Sequence, residues 1–170
     1  TPPDIKKVGL VVNPNDDLLN SISDLDLDIL QLHGSEPISR VKEIKSKFGI
    51  SLIKAIGVQD KKDLDLIEDY SEVADQLLID AKPNVDSTSP GGNGIKFDWK
   101  ILRNESWNFP WFLAGGLNED NISKAISITN AKKVDLSSGV EDNIGQKSKI
   151  KIINFVKKLR EYEGNLNVRW

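Results

Sequence analysis

Leu77-Leu78-Ile79-Asp80 is apolar on both faces and then abruptly acidic. A strand that buries both faces belongs to a parallel sheet, and the polar residue ending it lies at the sheet's C-terminal rim. Working outward, apolar, β-branched runs of the same kind recur at Val8–Val12, Ile29–Leu32, Leu52–Val58, Phe112–Ala114 and Val134–Leu136. Helix signals fill the intervals. Ser35 is a cap, Pro37 falls in a first turn, and Ile38, Val41, Ile44 and Phe48 follow at helical spacing before Gly49 stops the segment. Asp60 caps a helix bearing Leu64 and Ile67. Asn118, Glu119 and Asp120 suit a helix N-terminus, with Ile122, Ala125 and Ile126 as its apolar face. A last helix runs from about Ser148 to Tyr162 with Ile152, Ile153, Val156 and Leu159 inward. This βα alternation predicts an α/β chain with a parallel sheet and right-handed crossovers, in one domain over residues 1–170.

Composition narrows the function. The 170 residues hold 23 Lys+Arg against 26 Asp+Glu, a formal charge of −3, so no basic excess exists to neutralise a phosphate backbone and nucleic acid is not an expected partner. Cysteine is absent, which excludes disulfides, thiolate metal sites and a cysteine nucleophile within these residues. With one His as well, a zinc site would need carboxylates almost alone. No apolar run nears the roughly 20 residues that span a bilayer. The Thr1-Pro2-Pro3-Asp4 start is not a signal peptide, so no membrane partner is expected and the expected compartment is the cytoplasm.

The chemistry is expected on the rim, where each strand is followed by polar or small residues: Asn13; His33 and Gly34; Gly57; Asp80 and Lys82; Gly115 and Gly116; Ser137, Ser138 and Gly139. The pattern fits both a barrel and an open, doubly wound sheet. Phosphoacceptor domains of the second kind carry acidic residues after their first strand, whereas here none follows Val8–Asn13 until Asp16. Gly115-Gly116 and Ser138-Gly139 are either ordinary tight turns or a phosphate cradle built from backbone N–H groups. Asp80 is either a general acid, its pKa raised by partial burial, or a carboxylate paired with Lys82. His33 reads as a hydrogen-bonded structural residue or as part of the site. The one long interval, from Leu77 to Phe112, contains the Pro-, Ser- and Gly-rich segment 83–94, which has the length and place of a binding loop.

Read in order, these motifs resemble the phosphoribosylanthranilate isomerase family of tryptophan biosynthesis. The matching stretches are Val8–Asn13, Leu30-Gln31-Leu32-His33-Gly34, Ile53–Val58 and Leu77–Asp80. They continue with Gly91-Gly92-Asn93-Gly94 leading to Phe97-Asp98-Trp99, then Leu113–Leu117 and Val134-Asp135-Leu136-Ser137-Ser138-Gly139-Val140-Glu141. The resemblance covers nearly the whole chain, and the joint order of the motifs is more specific than any one of them. It implies a (β/α)8 TIM barrel of which this chain carries about six βα units, strands three to eight. It implies the Amadori rearrangement of N-(5-phosphoribosyl)anthranilate to 1-(2-carboxyphenylamino)-1-deoxyribulose 5-phosphate, with no metal or organic cofactor. By resemblance Asp80 is the general acid. Gly91, Gly92 and Gly94 belong to a loop that folds over a small phosphorylated sugar–anthranilate substrate. Gly115, Gly116, Ser138 and Gly139 hold its phosphate, and His33 and Asp135 line the site.

One departure is serious. The family's general base is a Cys in a Lys-x-Cys-Gly motif on the first strand, and an Arg after the second strand helps hold substrate; neither has a counterpart here. The resemblance therefore implies that two N-terminal βα units, on the order of 50–60 residues, are missing and that Thr1 lies inside the family pattern. A chain so shortened is expected to be inactive alone. The alternative is a non-catalytic, phosphate-binding barrel remnant lacking the base.

Overall fold

A computed structural model describes residues 2–82 and 98–165. Five parallel strands, β1 (Val8–Val11), β2 (Ile29–Leu32), β3 (Ser51–Val58), β4 (Gln76–Ala81) and β5 (Trp111–Leu113), pair strictly in chain order. Val8 lies beside Ile29, Ile29 beside Ser51, Ile53 beside Gln76 and Leu77 beside Trp111. The expected sixth strand, Val134–Leu136, shrinks to a single parallel bridge between Leu113 and Val134. Only Leu113 of β5 reaches it, through Leu113 N donating to Lys133 O and Asp135 N donating to Leu113 O.

Five helices follow: α1 (Asp16–Ile22), α2 (Ile38–Phe48), α3 (Asp65–Ser71), α4 (Ile122–Thr129) and α5 (Lys149–Asn165). A short 3₁₀ turn, Trp99–Leu102, stands between β4 and β5. The strand residues Leu30, Leu32, Leu52, Ile56, Val58, Leu77, Ile79 and Leu113 share one buried cluster with Leu19 of α1, Val41 and Ile44 of α2, Ile67 of α3, Ile122 and Ala125 of α4 and Phe155 of α5. On the opposite sheet face the buried apolar residues are Ile53, Ala55, Leu78 and Ala114, flanked by Ile29 and Phe112. All five helices thus contribute to the cluster on one face. With sequential strand order, this describes an arc of a barrel with helices outside and excludes the doubly wound alternative.

Several local expectations shift. Ser35 does not cap α2: Pro37 is its N-cap and Gly49 ends it in the left-handed region as anticipated. Asp60 caps as expected, its carboxylate accepting from Lys62 N while Asp63 reaches back to Asp60 N. That cap opens a 3₁₀ turn, Lys61–Leu64, which leads into α3. Helix α4 starts at Ile122 rather than near Asn118. Asn118 N donates to Asn121 Oδ1 and Asn121 Nδ2 donates to Gly116 O, a turn that ties up residues 118–121 before the helix begins. The largest correction falls on α5. Ile152, Ile153 and Val156 were expected inward but are exposed, and Phe155 is the buried residue. Val8 and Leu10 on β1, and Val12 just after it, are also exposed, Leu10 by 57%, whereas Val11 packs toward the helices. Both apolar surfaces belong to the ends of the arc, where closure of a barrel would cover them.

Candidate active site

The rim gathers residues that are far apart in the chain. Asp80 is the penultimate residue of β4, on the face that carries Leu78, and its Oδ1 accepts from Ala81 N at 2.7 Å. Its Oδ2 lies 3.4 Å from Nε2 of His33, with both side chains largely buried. His33 follows β2 and is held at the backbone by donating to Val11 O (2.8 Å). Its Nδ1 lies 2.9 Å from Gln31 Nε2, an amide donor. In the neutral ring that bond makes Nδ1 the acceptor and leaves the proton on Nε2, facing Asp80. The pairing of Asp80 with Lys82 that the sequence left open does not form, because Lys82 Nζ turns to Asp63 Oδ1 at 3.0 Å.

Asp135 follows the Leu113–Val134 bridge and joins this group electrostatically. Its side chain is reached by solvent, yet surrounding protein atoms strip enough hydration to push its pKa up, and the Asp80 carboxylate pushes the same way. His33 and Lys147 oppose the rise. The two carboxylates and the imidazole thus share one corner of the rim, and the pKa of Asp135 is raised there.

The two glycine turns meet. Gly115 and Gly116 adopt φ of 88° and 62°, a region costly for other residues. A Cβ on Gly115 would stand 2.8 Å from Ala81 N and 3.2 Å from Asp80 Oδ1, so this turn abuts the end of β4. A Cβ on Gly139 would stand 1.8 Å from Leu117 O, so the Ser138-Gly139 turn is seated directly on the Gly115–Leu117 turn. Ser138 opens a 3₁₀ turn, Ser138–Val140, which leads into a hairpin of β6 (Glu141–Asn143) and β7 (Gln146–Lys147). Lys147 Nζ binds Ser137 Oγ at 2.8 Å and Glu141 at 2.6 Å, and Gly145 N donates to Glu141, which holds that hairpin to the rim. Gly91, Gly92 and Gly94 lie outside the described residues. Among those described, no group of three or more His, Cys, Asp or Glu is placed to hold a metal ion, and no helix is long and apolar enough to cross a membrane.

Sequence reasoning missed three residues around His33: Gln31, Glu36 and Lys54, all buried. The signal was available for two of them. Gln31 and Lys54 are polar residues inside otherwise apolar strands, an arrangement that needs a specific partner.

Residues 1–158 match the family described as N-(5'phosphoribosyl)anthranilate (PRA) isomerase. The N-(5'-phosphoribosyl)anthranilate isomerase of Paracoccus denitrificans is 48% identical over 153 residues, which cover 89% of this chain and 71% of that protein. That of Paramagnetospirillum magneticum is 46% identical over 160 residues, 94% of this chain and 74% of the relative. The crystal structure of phosphoribosyl anthranilate isomerase from Thermotoga maritima superposes with a TM-score of 0.80 at 33% identity, covering 95% of this chain and 76% of that one. A phosphoribosyl anthranilate isomerase solved in complex with reduced 1-(o-carboxyphenylamino)-1-deoxyribulose 5-phosphate gives a TM-score of 0.76 at 32% identity, covering 95% and 74%. The rim motifs, the one-sided helical layer and these matches agree: the chain belongs to the N-(5'-phosphoribosyl)anthranilate isomerase family.

Proposed function

We propose that this chain carries the acid side and the phosphate side of phosphoribosylanthranilate isomerisation. The observation that carries the reading is Asp80 facing His33 at 3.4 Å beside the Gly115 turn, which itself packs on the Ser138-Gly139 turn. In the ring-closed substrate, a proton from Asp80 goes to the furanose ring oxygen as the C1′–O bond breaks, and the anthranilate nitrogen forms the C1′=N⁺ Schiff base. The C2′ proton then leaves to a base, giving the enolamine. C1′ regains a proton as the C2′ hydroxyl loses its own, and the ketone forms with no net gain or loss of atoms. His33 Nε2–H stabilises the Asp80 carboxylate left after proton delivery. The glycine turns receive the phosphate through backbone N–H groups, away from the reacting carbons. Asp135 lines the same corner of the site, close enough to feel the Asp80 charge. Such an enzyme acts on a small phosphorylated sugar–anthranilate in the cytoplasm.

The base is the missing element, since the 170 residues hold no cysteine. The exposed apolar edge of β1 and the exposed face of α5 are where two further βα units would sit and supply it. A second reading, a phosphate-binding remnant without turnover, draws on the same lack of cysteine. The test joins two N-terminal βα units bearing the Lys-x-Cys-Gly motif to this chain and measures conversion of phosphoribosylanthranilate. Conversion that appears on joining, and falls roughly 10²–10⁴-fold in Asp80→Asn, supports the isomerase. No conversion in the joined, folded protein supports the remnant, and full activity in Asp80→Asn overturns the general-acid role.

A further inference from the structure

Lys54 stands within a buried strand, on the face that packs against the helices. Its side chain is 3% exposed and that of its partner Glu36 is 1% exposed, with Nζ 2.9 Å from Oε2. A buried ion pair is a poor source of stability, because removing two charges from water costs as much as their attraction returns. Its contacts show another use. Lys54 Nζ also donates to Gly34 O and Ala55 O, each at 2.8 Å, and faces Leu32 O at 3.4 Å. The Glu36 carboxylate accepts from Gly34 N at 3.0 Å and from Asn13 N at 2.8 Å. Gly34 is therefore held at both its N–H and its C=O, and the carbonyl of Leu32 faces the same ammonium.

Those two residues flank His33. Asn13 adds a second tie between the loops after β1 and β2, its Oδ1 accepting from Ser35 N at 2.8 Å. Tyr70 of α3 closes the network from the helix side, its hydroxyl donating to Glu36 O at 2.8 Å and its ring centroid 5.6 Å from Lys54 Nζ.

We infer that Glu36 and Lys54 are positioning residues: from the helix side of the sheet they clamp the backbone on both sides of His33, so that its Nε2 meets Asp80 on the rim. This rests on the reading of Asp80 and His33 given above. Neither residue touches the reacting group, and both act through the loop that carries His33.

The test uses the fact that His33 is the only histidine. Its ¹⁵N imidazole signals report tautomer without assignment ambiguity. In the parent chain the Nε2–H form dominates, and the Asn13 and Gly34 amides exchange with solvent roughly 10³-fold or more slower than free peptide, as strand amides do. In Lys54→Met, and in the double variant Lys54→Met/Glu36→Gln that leaves no unpaired charge, the tautomer preference is lost while the indole signals of Trp107 and Trp111 stay in place. A folded variant with unchanged His33 signals overturns the inference. If neither variant folds, the parent decides: fast exchange at Asn13 and Gly34 overturns it, and slow exchange with the Nε2–H tautomer upholds it. Failure of the isomerase reading shows separately, as full turnover in Asp80→Asn with these signals intact.

Discussion

Gly139→Ala isolates the contact between the two glycine turns. The added Cβ would lie 1.8 Å from Leu117 O, where ordinary contact begins at 3.4 Å, and the obstacle is backbone rather than a side chain that could swing aside. One turn must move away from the other. Overpacking of this kind costs about 1–3 kcal/mol, a fall in Tm of roughly 2–12 °C for a chain of this size. The effect on ligand is larger. A phosphate bridging both turns loses the charged hydrogen bonds of one of them. Two such bonds at about 1.5–3 kcal/mol each correspond to roughly 10²–10⁴-fold in Kd. The assay is calorimetric titration with reduced 1-(o-carboxyphenylamino)-1-deoxyribulose 5-phosphate and with its unphosphorylated analogue. Gly139→Ala should weaken the first far more than the second. Gly49→Ala is the control: it has φ of 62° and open space around its Cβ, at the end of α2. It should lose stability by about 1–2 kcal/mol and keep the parent preference for the phosphorylated ligand. Equal weakening of both ligands by Gly139→Ala, or none, refutes a phosphate seat at the junction of these turns.

Other expectations follow from the same geometry. In Lys54→Met the buried Glu36 loses its counterion, and stability at pH 7 should drop by about 3–5 kcal/mol, measured by urea unfolding. The pH dependence of that loss has a definite sign. In the parent, burial pushes the Glu36 pKa up, but Lys54 and the Asn13 N–H outweigh it and hold the carboxyl below its ordinary value. Its contribution is therefore present above the ordinary carboxylate pKa and lost as pH falls through the lowered one. In the variant, burial acts unopposed by lysine and acid relieves the penalty, so the gap between parent and variant should narrow on acidification. A gap that is constant from pH 7 to pH 4 contradicts this. At the ends of the arc, Leu10 and Ile153 are 57% and 54% exposed, so the 170-residue chain should self-associate in sedimentation experiments. Ile153→Glu should reduce that association, and a strictly monomeric parent with a sharp two-state melt would count against open apolar ends. Acidification should protonate Asp135 ahead of ordinary aspartates, since lost hydration and the Asp80 charge both raise its pKa. An Asp135 carboxyl titrating with the exposed aspartates in ¹³C spectra would show that it does not share a site with Asp80.

The strands and the rim were readable from local pattern. Leu77-Leu78-Ile79 and, apart from Lys54, Leu52–Val58 are apolar on both faces whatever they pack against; Asp80 comes at the polar end of its strand, and Gly115 and Gly139 mark turns beyond theirs. The shared order of these motifs also carried the family. The choice between barrel arc and doubly wound sheet was not local: it depends on which side of the sheet each crossover helix lies, and only the common cluster of Leu19, Val41, Ile67, Ile122 and Phe155 decides it. The partners of polar residues were equally hidden. Asp80 has Lys82 two residues away in sequence and His33 beside it in space, because β2 and β4 flank β3 and the two side chains meet across it on the same face of the sheet. Lys54 looks anomalous in sequence, and the carboxylate that answers it comes from the loop after the neighbouring strand β2, 18 residues earlier. The face of α5 is the sharpest division. Amphipathic spacing identifies Ile152, Ile153 and Val156 as apolar, but burial needs a second surface, and whether one is present is a property of the assembled fold.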